Sequence, residues 1–240
     1  MKIALIGFGN MGKAIEEIAI LRGHTISLKI TSSNVHELTK NNLQAADVAI
    51  EFTRPGTAFT NVKICLDAGI PVICGTTGWL DQLVVIEKYC NQQDGTFLYA
   101  SNFSVGVNIF FELNKKLASL MEGHNDYNVS IEEIHHTQKK DAPSGTAITL
   151  AEQVIERSKI KKSWTVDNNN PTSEVLVINS KRIDPATGTH HVRYRSLIDD
   201  IEITHTAHNR RGFANGAILA AEFISNKKGM YTMKDVLGII

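Results

Sequence analysis

Through the first hundred residues, short apolar runs alternate with amphipathic stretches. Residues 3–6 read as a buried strand closed by Gly7. Met11, Ala14, Ile15, Ile18, Ala19 and Leu21 then recur at helical spacing until Gly23 stops the helix. The same reading predicts strands over 26–30, 47–53, 71–74 and 96–100, with helices over 57–68 and 80–91. Strands separated by helices imply a parallel sheet with right-handed crossovers. These strands lack strict hydrophobic–polar alternation, as expected of a sheet covered on both faces.

The pattern changes after residue 104. A long apolar-rich helix is predicted over 105–121, a strand over 129–135 and a helix from about 144 to 157. Residues 159–172 are polar and read as a loop. Strands over 174–183, 190–197 and 200–206, joined by short turns, read as an antiparallel meander. An Ala-rich helix over 214–224 suits packing back onto the first domain. The expected class is α/β. A Rossmann-type parallel-sheet domain (1–103 and 213–240) is joined to a smaller α+β domain (104–212) with an open mixed or antiparallel sheet.

Composition narrows the partners. The 240 residues are 42% hydrophobic and 21% charged, which argues against disorder. Lys+Arg and Asp+Glu both number 25, so no global basic field favours nucleic acid. Three cysteines, Cys65, Cys74 and Cys90, cannot all pair within the chain, which fits a reducing compartment. No stretch approaches the roughly 20 apolar residues of a membrane span. The apolar start ends too soon for a signal peptide. A cytoplasmic chain with no membrane or nucleic-acid partner is expected.

Gly7-Phe8-Gly9-Asn10-Met11-Gly12 sits between the first strand and the first helix. In that context G-x-G-x-x-G binds a dinucleotide. Gly7 permits the tight turn, Gly9 admits the pyrophosphate, and Gly12 lets helix and strand pack closely. Asn10 and Met11 open the helix whose N–H groups face the phosphates. The second strand ends Lys29-Ile30-Thr31-Ser32-Ser33, without a carboxylate for the adenosine ribose. This favours NADPH, with NADH also possible, and offers Lys29 to a 2′-phosphate. Three stretches close later strands, where open α/β sheets bind ligands. They are the one carrying Arg54, Gly75-Thr76-Thr77, and Ala100-Ser101-Asn102-Phe103.

The densest chemistry lies in Glu132-Glu133-Ile134-His135-His136-Thr137-Gln138-Lys139-Lys140-Asp141-Ala142-Pro143-Ser144-Gly145-Thr146. Adjacent histidines at a strand end point to opposite sides. Ser144 is placed to cap a helix whose first turn offers N–H groups to an anion. Lysine, histidine and a helix N-terminus together suit a small dicarboxylate with a proton donor nearby. No carboxylate or cysteine spacing completes a zinc site, so no metal is expected.

The chain resembles the 4-hydroxy-tetrahydrodipicolinate (dihydrodipicolinate) reductase family over nearly its whole length. The most specific element is His135-His136-x-x-Lys139-x-Asp141-Ala142-Pro143-Ser144-Gly145-Thr146-Ala147. Phe52-Thr53-Arg54-Pro55, Gly75-Thr76-Thr77-Gly78 and Asn102-Phe103-Ser104-Val105-Gly106-Val107-Asn108 match in order. Two features depart from the family: a shorter glycine turn, and Thr31 where an acidic residue often stands. The resemblance implies NAD(P)H-dependent reduction of a cyclic, unsaturated dicarboxylate in diaminopimelate and lysine biosynthesis. It gives Lys139 the role of proton donor and His135 that of donor or acceptor. His136, Ser144, Gly145 and Thr146 bind substrate. It implies a homotetramer built by the second-domain sheet, and suggests domain closure about 103–104 and 210–212. The rival readings are another two-domain nicotinamide dehydrogenase and a dinucleotide-responsive sensor, neither of which needs this histidine–lysine pair.

Overall fold

The structure is a computed structural model and describes residues 1–168, 172–209 and 211–239. It divides into two units, residues 1–105 with 211–240 and residues 106–210. In the first unit β1 (Lys2–Ile6), α1 (Asn10–Leu21), β2 (Thr25–Ile30), α2 (Lys40–Leu43), β3 (Val48–Glu51) and α3 (Pro55–Asp67) follow in order. Next come β4 (Val72–Cys74), α4 (Leu83–Gln92) and β5 (Thr96–Tyr99). The second unit holds α5 (Val105–Leu120), whose first residue belongs to the first unit, β6 (Asn128–His135) and α6 (Gly145–Arg157). β7 (Ser163–Val166), β8 (Val175–Arg182), β9 (Gly188–Arg195) and β10 (Asp200–Ala207) complete it. The chain then returns to the first unit through α7 (Arg211–Ile224), β11 (Gly229–Tyr231) and α8 (Met233–Leu237).

The first sheet has the order β11-β5-β4-β3-β1-β2, and every pairing is parallel. β2 lies on one side of β1 and β3 on the other, so the order reverses at β1/β3. Ligands of open sheets bind outside the strand ends at such a switch point. Both faces are covered. Ile15 and Ile18 of α1, with Ala217, Ile218 and Ala221 of α7, pack on Ile3, Leu5, Ile73 and Leu98. Leu43, Val62, Cys65, Leu66, Ile86 and Cys90 of α2, α3 and α4 pack on Ala4, Ile6, Ala49, Val72 and Phe97. Each large side chain buried this way contributes about 1.5–3 kcal/mol. Two-sided burial explains the unbroken apolar strands. α7 comes close because Gly216 has no side chain: a Cβ there would stand 1.7 Å from the Phe103 carbonyl oxygen.

The second sheet has the order β10-β9-β6-β8-β7 and is mixed. This corrects the expected meander. Among the described residues only β9–β10 forms an antiparallel hairpin between consecutive strands, and β6 separates β8 from β9. β6 and β8 run parallel because α6 crosses over between them, as in any βαβ unit. Alternation within each strand could not show its partner. β7, Ser-Trp-Thr-Val, lies inside the stretch expected to be a loop and pairs with β8 at the sheet edge. β11, α2 and α8 are further elements the pattern missed, all of them short. α7 begins at Arg211, three residues earlier than expected. Asn169, Asn170 and Pro171 of the expected loop, and Arg210 of the expected hinge, lie outside the described residues. Phe110, Ala118, Leu150 and Val154 of α5 and α6 pack on Ile131, Leu176, Ile178, Val192 and Tyr194. None of the helices is long and apolar enough to cross a membrane among the described residues.

Candidate active site

In the first unit, the switch point carries a cavity of about 450 Å³. It is lined by residues following three adjacent strands: Ile6–Gly9 after β1, Ile30–Ser32 after β2, and Phe52–Arg54 after β3, with Val35, Thr57 and Asn61. The glycine turn leaves room where the backbone must approach a ligand. Gly7 has φ +96°, and a Cβ on it would lie 2.0 Å from the Phe52 carbonyl oxygen. Around Gly9 nothing stands within 4 Å of such a Cβ, so the cap of α1 is open. At Gly12 a Cβ would meet the Gly7 carbonyl oxygen at 2.3 Å. The first-turn N–H groups of α1, on Asn10, Met11 and Gly12, precede any carbonyl of the helix they could bond. An open cap, a left-handed turn and free first-turn donors fit a dinucleotide pyrophosphate.

The cavity collects Gly7, Gly9 and Arg54 of the expected cofactor residues. Gly75, Thr76 and Thr77 follow β4, while Ala100, Ser101, Asn102 and Phe103 follow β5; both groups lie at the same edge of the sheet, outside that lining. The Thr76 hydroxyl accepts from the Thr53 N–H at 2.8 Å, and Asn102 Oδ1 accepts from the Ser104 N–H at 2.9 Å. Lys29 is engaged rather than free: its ammonium pairs with Glu16 at 2.8 Å and lies 4.1 Å over the Phe8 ring. Beneath the cavity, Glu51 is fully buried and accepts from Thr53, from Asn61 at 3.3 Å and from Cys74 at 3.0 Å. The buried Cys74 thiol is thereby held far above its ordinary range, by desolvation first and the Glu51 charge second.

In the second unit, the expected residues meet at the end of β6. His135 is buried, whereas His136 is half-buried, as alternate sides of a strand require. Lys139 Nζ donates to both Asp141 oxygens, at 2.8 and 2.7 Å. Burial alone would lift the Asp141 carboxyl, but the Lys139 ammonium holds it below its ordinary range. Ser144 caps α6 by accepting from the Ala147 N–H at 3.2 Å. The Gly145 and Thr146 N–H groups stand in the first turn of that helix, before any i−4 carbonyl, and suit a carboxylate. Ser144 itself is turned inward. Its N–H donates to both oxygens of Glu133, at 3.1 and 3.0 Å, and its hydroxyl meets His190 Nε2 at 3.1 Å.

Glu133, Ser180, Arg182 and His190 complete this centre and were not singled out from the sequence. Glu133 was legible: it stands two residues before His135 and so shares its face of β6. The other three arrive by pairing, with His190 opposite Glu133, Ser180 beside Glu133 and Arg182 beside His135. Donor atoms of Glu133, His135 and His190 lie within 4.8 Å of one another. Arg182 already supplies the positive charge on Glu133, at 3.1 Å, and Ser144 the partner of His190. Burial lowers the His135 imidazole, Lys139 and Arg182 lower it further, and Glu133 and Asp141 oppose the shift. The Glu133 carboxyl, which burial would raise, is held low by Ser144, Ser180 and His135.

His190 is pushed down to about 3, by burial first and by neighbouring His135 second. The unfolded chain therefore takes up a proton at His190 near pH 6.5 that the folded chain refuses. Stability should be level with respect to this group above that pH and fall as the pH drops from 6.5 to about 3. The loss is at most about 5 kcal/mol. Urea midpoints measured across that range should fall less steeply in His190→Gln. An unchanged slope would acquit His190.

A parallel sheet with a cavity at its switch point that fits a dinucleotide, together with a histidine–lysine cluster at the end of a strand in a second, mixed sheet, is the pattern of a nicotinamide-dependent oxidoreductase of Rossmann type. Sequence comparison matches residues 1–103 to the N-terminal part of dihydrodipicolinate reductase and residues 106–237 to its C-terminal part. The chain belongs to the dihydrodipicolinate reductase family, that of 4-hydroxy-tetrahydrodipicolinate reductase, an oxidoreductase of diaminopimelate and lysine biosynthesis. It is 51% identical to the 4-hydroxy-tetrahydrodipicolinate reductase of Christiangramia forsetii over 237 residues, covering 99% of this chain and 98% of that protein. It is 37% identical to the enzyme of the same name from Methanosarcina mazei over 242 residues, covering 99% and 89%. The fold is shared with the dipicolinate-bound dihydrodipicolinate reductase from Paenisporosarcina sp. TG-14. The TM-score there is 0.75 at 21% identity, over 97% of each chain.

Proposed function

We propose that this chain carries out its family's reaction with Lys139 and His135 handling the proton. The reaction is NAD(P)H-dependent reduction of 4-hydroxy-tetrahydrodipicolinate, through its dehydrated form, to tetrahydrodipicolinate. The dinucleotide is held by Gly7, Gly9 and the first turn of α1, with Arg54 and the 75–77 and 100–103 stretches on the same sheet edge. Bound there, it supplies the hydride. The conjugated imine of the substrate then leaves electron density on its ring nitrogen, which must gain a proton. Lys139 donates that proton, and Asp141, accepting from Nζ with both oxygens, holds the ammonium on its loop. His135 takes part as donor or acceptor. Gly145 and Thr146 hold a carboxylate through their first-turn N–H groups, and His136 binds the substrate from the half-buried side of the strand.

The observation that carries this reading is the gathering of His135, His136, Lys139 and the α6 N-terminus at one end of β6. The Paenisporosarcina protein is described as dipicolinate bound, and dipicolinate is a planar cyclic dicarboxylate of the kind this centre suits. NADPH is the preferred cofactor with NADH accepted, since no carboxylate follows β2 to repel a 2′-phosphate. The Lys29–Glu16 pair is exposed enough to exchange for a phosphate contact. The working form is a homotetramer built through the second-unit sheet, in the cytoplasm. Helices α5 and α6 pack on one face of that sheet, and Leu197 and Ile198 stand exposed at its β9–β10 turn.

The test mixes pyruvate, aspartate semialdehyde and the upstream synthase, adds this protein, and follows oxidation of NADPH and of NADH separately. Consumption of either cofactor that requires every component is expected, faster with NADPH. Consumption independent of the synthase product would reject the reaction, and a faster NADH rate would reject the preference. Sedimentation at working concentration reads the tetramer.

A further inference from the structure

We propose that Glu133 is a positioning residue that fixes His135, the Lys139 loop and the Ser144 turn from a single buried carboxylate. The inference rests on the reductase reading above. Glu133 has no solvent exposure, yet it sits two residues from a proton-handling histidine. Oε1 accepts from the Ser144 N–H at 3.1 Å, the Ser180 hydroxyl at 3.0 Å and the Arg182 guanidinium at 3.1 Å. Oε2 accepts from the same Ser144 N–H at 3.0 Å.

Each of these bonds reaches one part of the site. Ser144 is the residue before the Gly145–Thr146 anion-holding turn. Arg182 carries the tie onward: its guanidinium donates to the Lys139 carbonyl at 3.3 Å and to the Asp141 carbonyl at 2.5 Å. It therefore grips the backbone on either side of the Lys139–Asp141 pair. His135 Nδ1 stands 3.5 Å from Oε2 and has no other partner among the described residues. Oε2 has used only one of its lone pairs on a close donor, so it is the acceptor available to an Nδ1–H. That tautomer leaves Nε2 as the working nitrogen. Nε2 faces Gly188, where a Cβ would come within 3.1 Å, so the absence of a side chain keeps the nitrogen clear.

The arrangement also decides the charge. Two histidines, Arg182 and Lys139 converge here, and Glu133 is the buried anion among them. The groups acting on the His135 ring are Glu133 from its own strand, Lys139 and Asp141 from the loop, Arg182 from β8 and His190 from β9. His205 of β10 acts on His190 in turn. Removing the Glu133 charge should lower the proton affinity of His135, because that charge is what favours the imidazolium. A carboxylate that served packing alone would leave the His135 tautomer and the dicarboxylate KM where they are.

The test begins with the wild-type protein in the synthase-coupled assay. Absence of wild-type turnover would sink the reductase reading; dipicolinate binding and the histidine titration would still judge Glu133. Glu133→Gln keeps shape and one carbonyl oxygen but removes the charge. It should lower kcat/KM by roughly 10–100-fold. KM for the dicarboxylate should rise several-fold, while the dissociation constant of NADPH stays unchanged. In ¹⁵N-histidine NMR the His135 titration should move to lower pH and its Nδ1–H tautomer should lose dominance. A folded Glu133→Gln with wild-type kcat/KM, or with an unmoved His135 titration, overturns the proposal. If Glu133→Gln does not fold, Glu133→Asp decides. It keeps the charge but shortens the reach to Ser144 and Arg182, so the dicarboxylate KM should rise with NADPH affinity intact. Parity with wild type in that variant overturns the proposal equally.

Discussion

Lys139→Ala should lower kcat by roughly 10²–10⁴-fold, the usual worth of a positioned general acid. The dicarboxylate KM should change far less, because the first turn of α6 and His136 still hold the substrate. The expectation rests on how the structure holds this lysine. Its ammonium is fixed by two bonds to Asp141, and its backbone carbonyl is gripped by Arg182. The proton is thus presented from a fixed point rather than from a free side chain, which spares the entropy of bringing donor and ring nitrogen together. Steady-state oxidation of NADPH over a range of substrate concentrations separates the two constants. Near-normal turnover in Lys139→Ala would remove it from the chemistry. A large rise in KM with kcat intact would recast it as a binding residue.

Gly7→Ala should destabilise the first unit by about 3 kcal/mol or more and abolish dinucleotide binding. Two costs combine. An L-residue is strained at φ +96°, and its Cβ would lie 2.0 Å from the Phe52 carbonyl oxygen. Neither backbone can yield: Gly7 N–H is bonded to the Ile30 carbonyl at 3.0 Å, and Phe52 N–H to the Ile6 carbonyl at 2.8 Å. Two companions separate the causes. Gly23 has φ +79° with nothing within 4 Å of a Cβ, so Gly23→Ala should cost only about 1 kcal/mol and leave binding intact. Gly9→Ala meets no protein atom within 4 Å, so it should melt like wild type yet bind NADPH more weakly. Thermal melts and fluorescence titration of NADPH read all three. A Gly7→Ala protein that melts and binds normally would show that the turn tolerates a side chain.

The legible part of this molecule was whatever depends on neighbours in sequence. The G-x-G-x-x-G turn, the Ser144 cap and the first-turn donors of α6 are local geometry, fixed by residues a few positions apart. The first sheet was also legible, because burial on both faces leaves continuous apolar runs separated by amphipathic helices. His135 and His136 fall on opposite sides of β6 for the same local reason. Lys29 shows the limit. Its position at the end of the second strand suggested a phosphate contact, but only packing of α1 on β2 shows Glu16 already beside it.

The order of the second sheet lay beyond any local pattern. Alternation along β8 and β9 records that each has a buried face, while the insertion of β6 between them is a matter of long-range pairing. The same pairing gathered Glu133, Ser180, Arg182 and His190, which are separated by up to 57 residues in the chain. Sequence alone therefore determined the family and the reaction class, and the motifs on which the proposed cofactor turn and substrate residues rest, since those chemistries are written in short contiguous motifs. Only tertiary structure decided what surrounds them: which carboxylate takes the charge, which strand supplies the arginine, and which histidine is buried too deeply to titrate near neutrality. The reason is physical. Hydrogen bonds and desolvation act over a few ångströms of space, and the register of paired strands sets which residues share those ångströms.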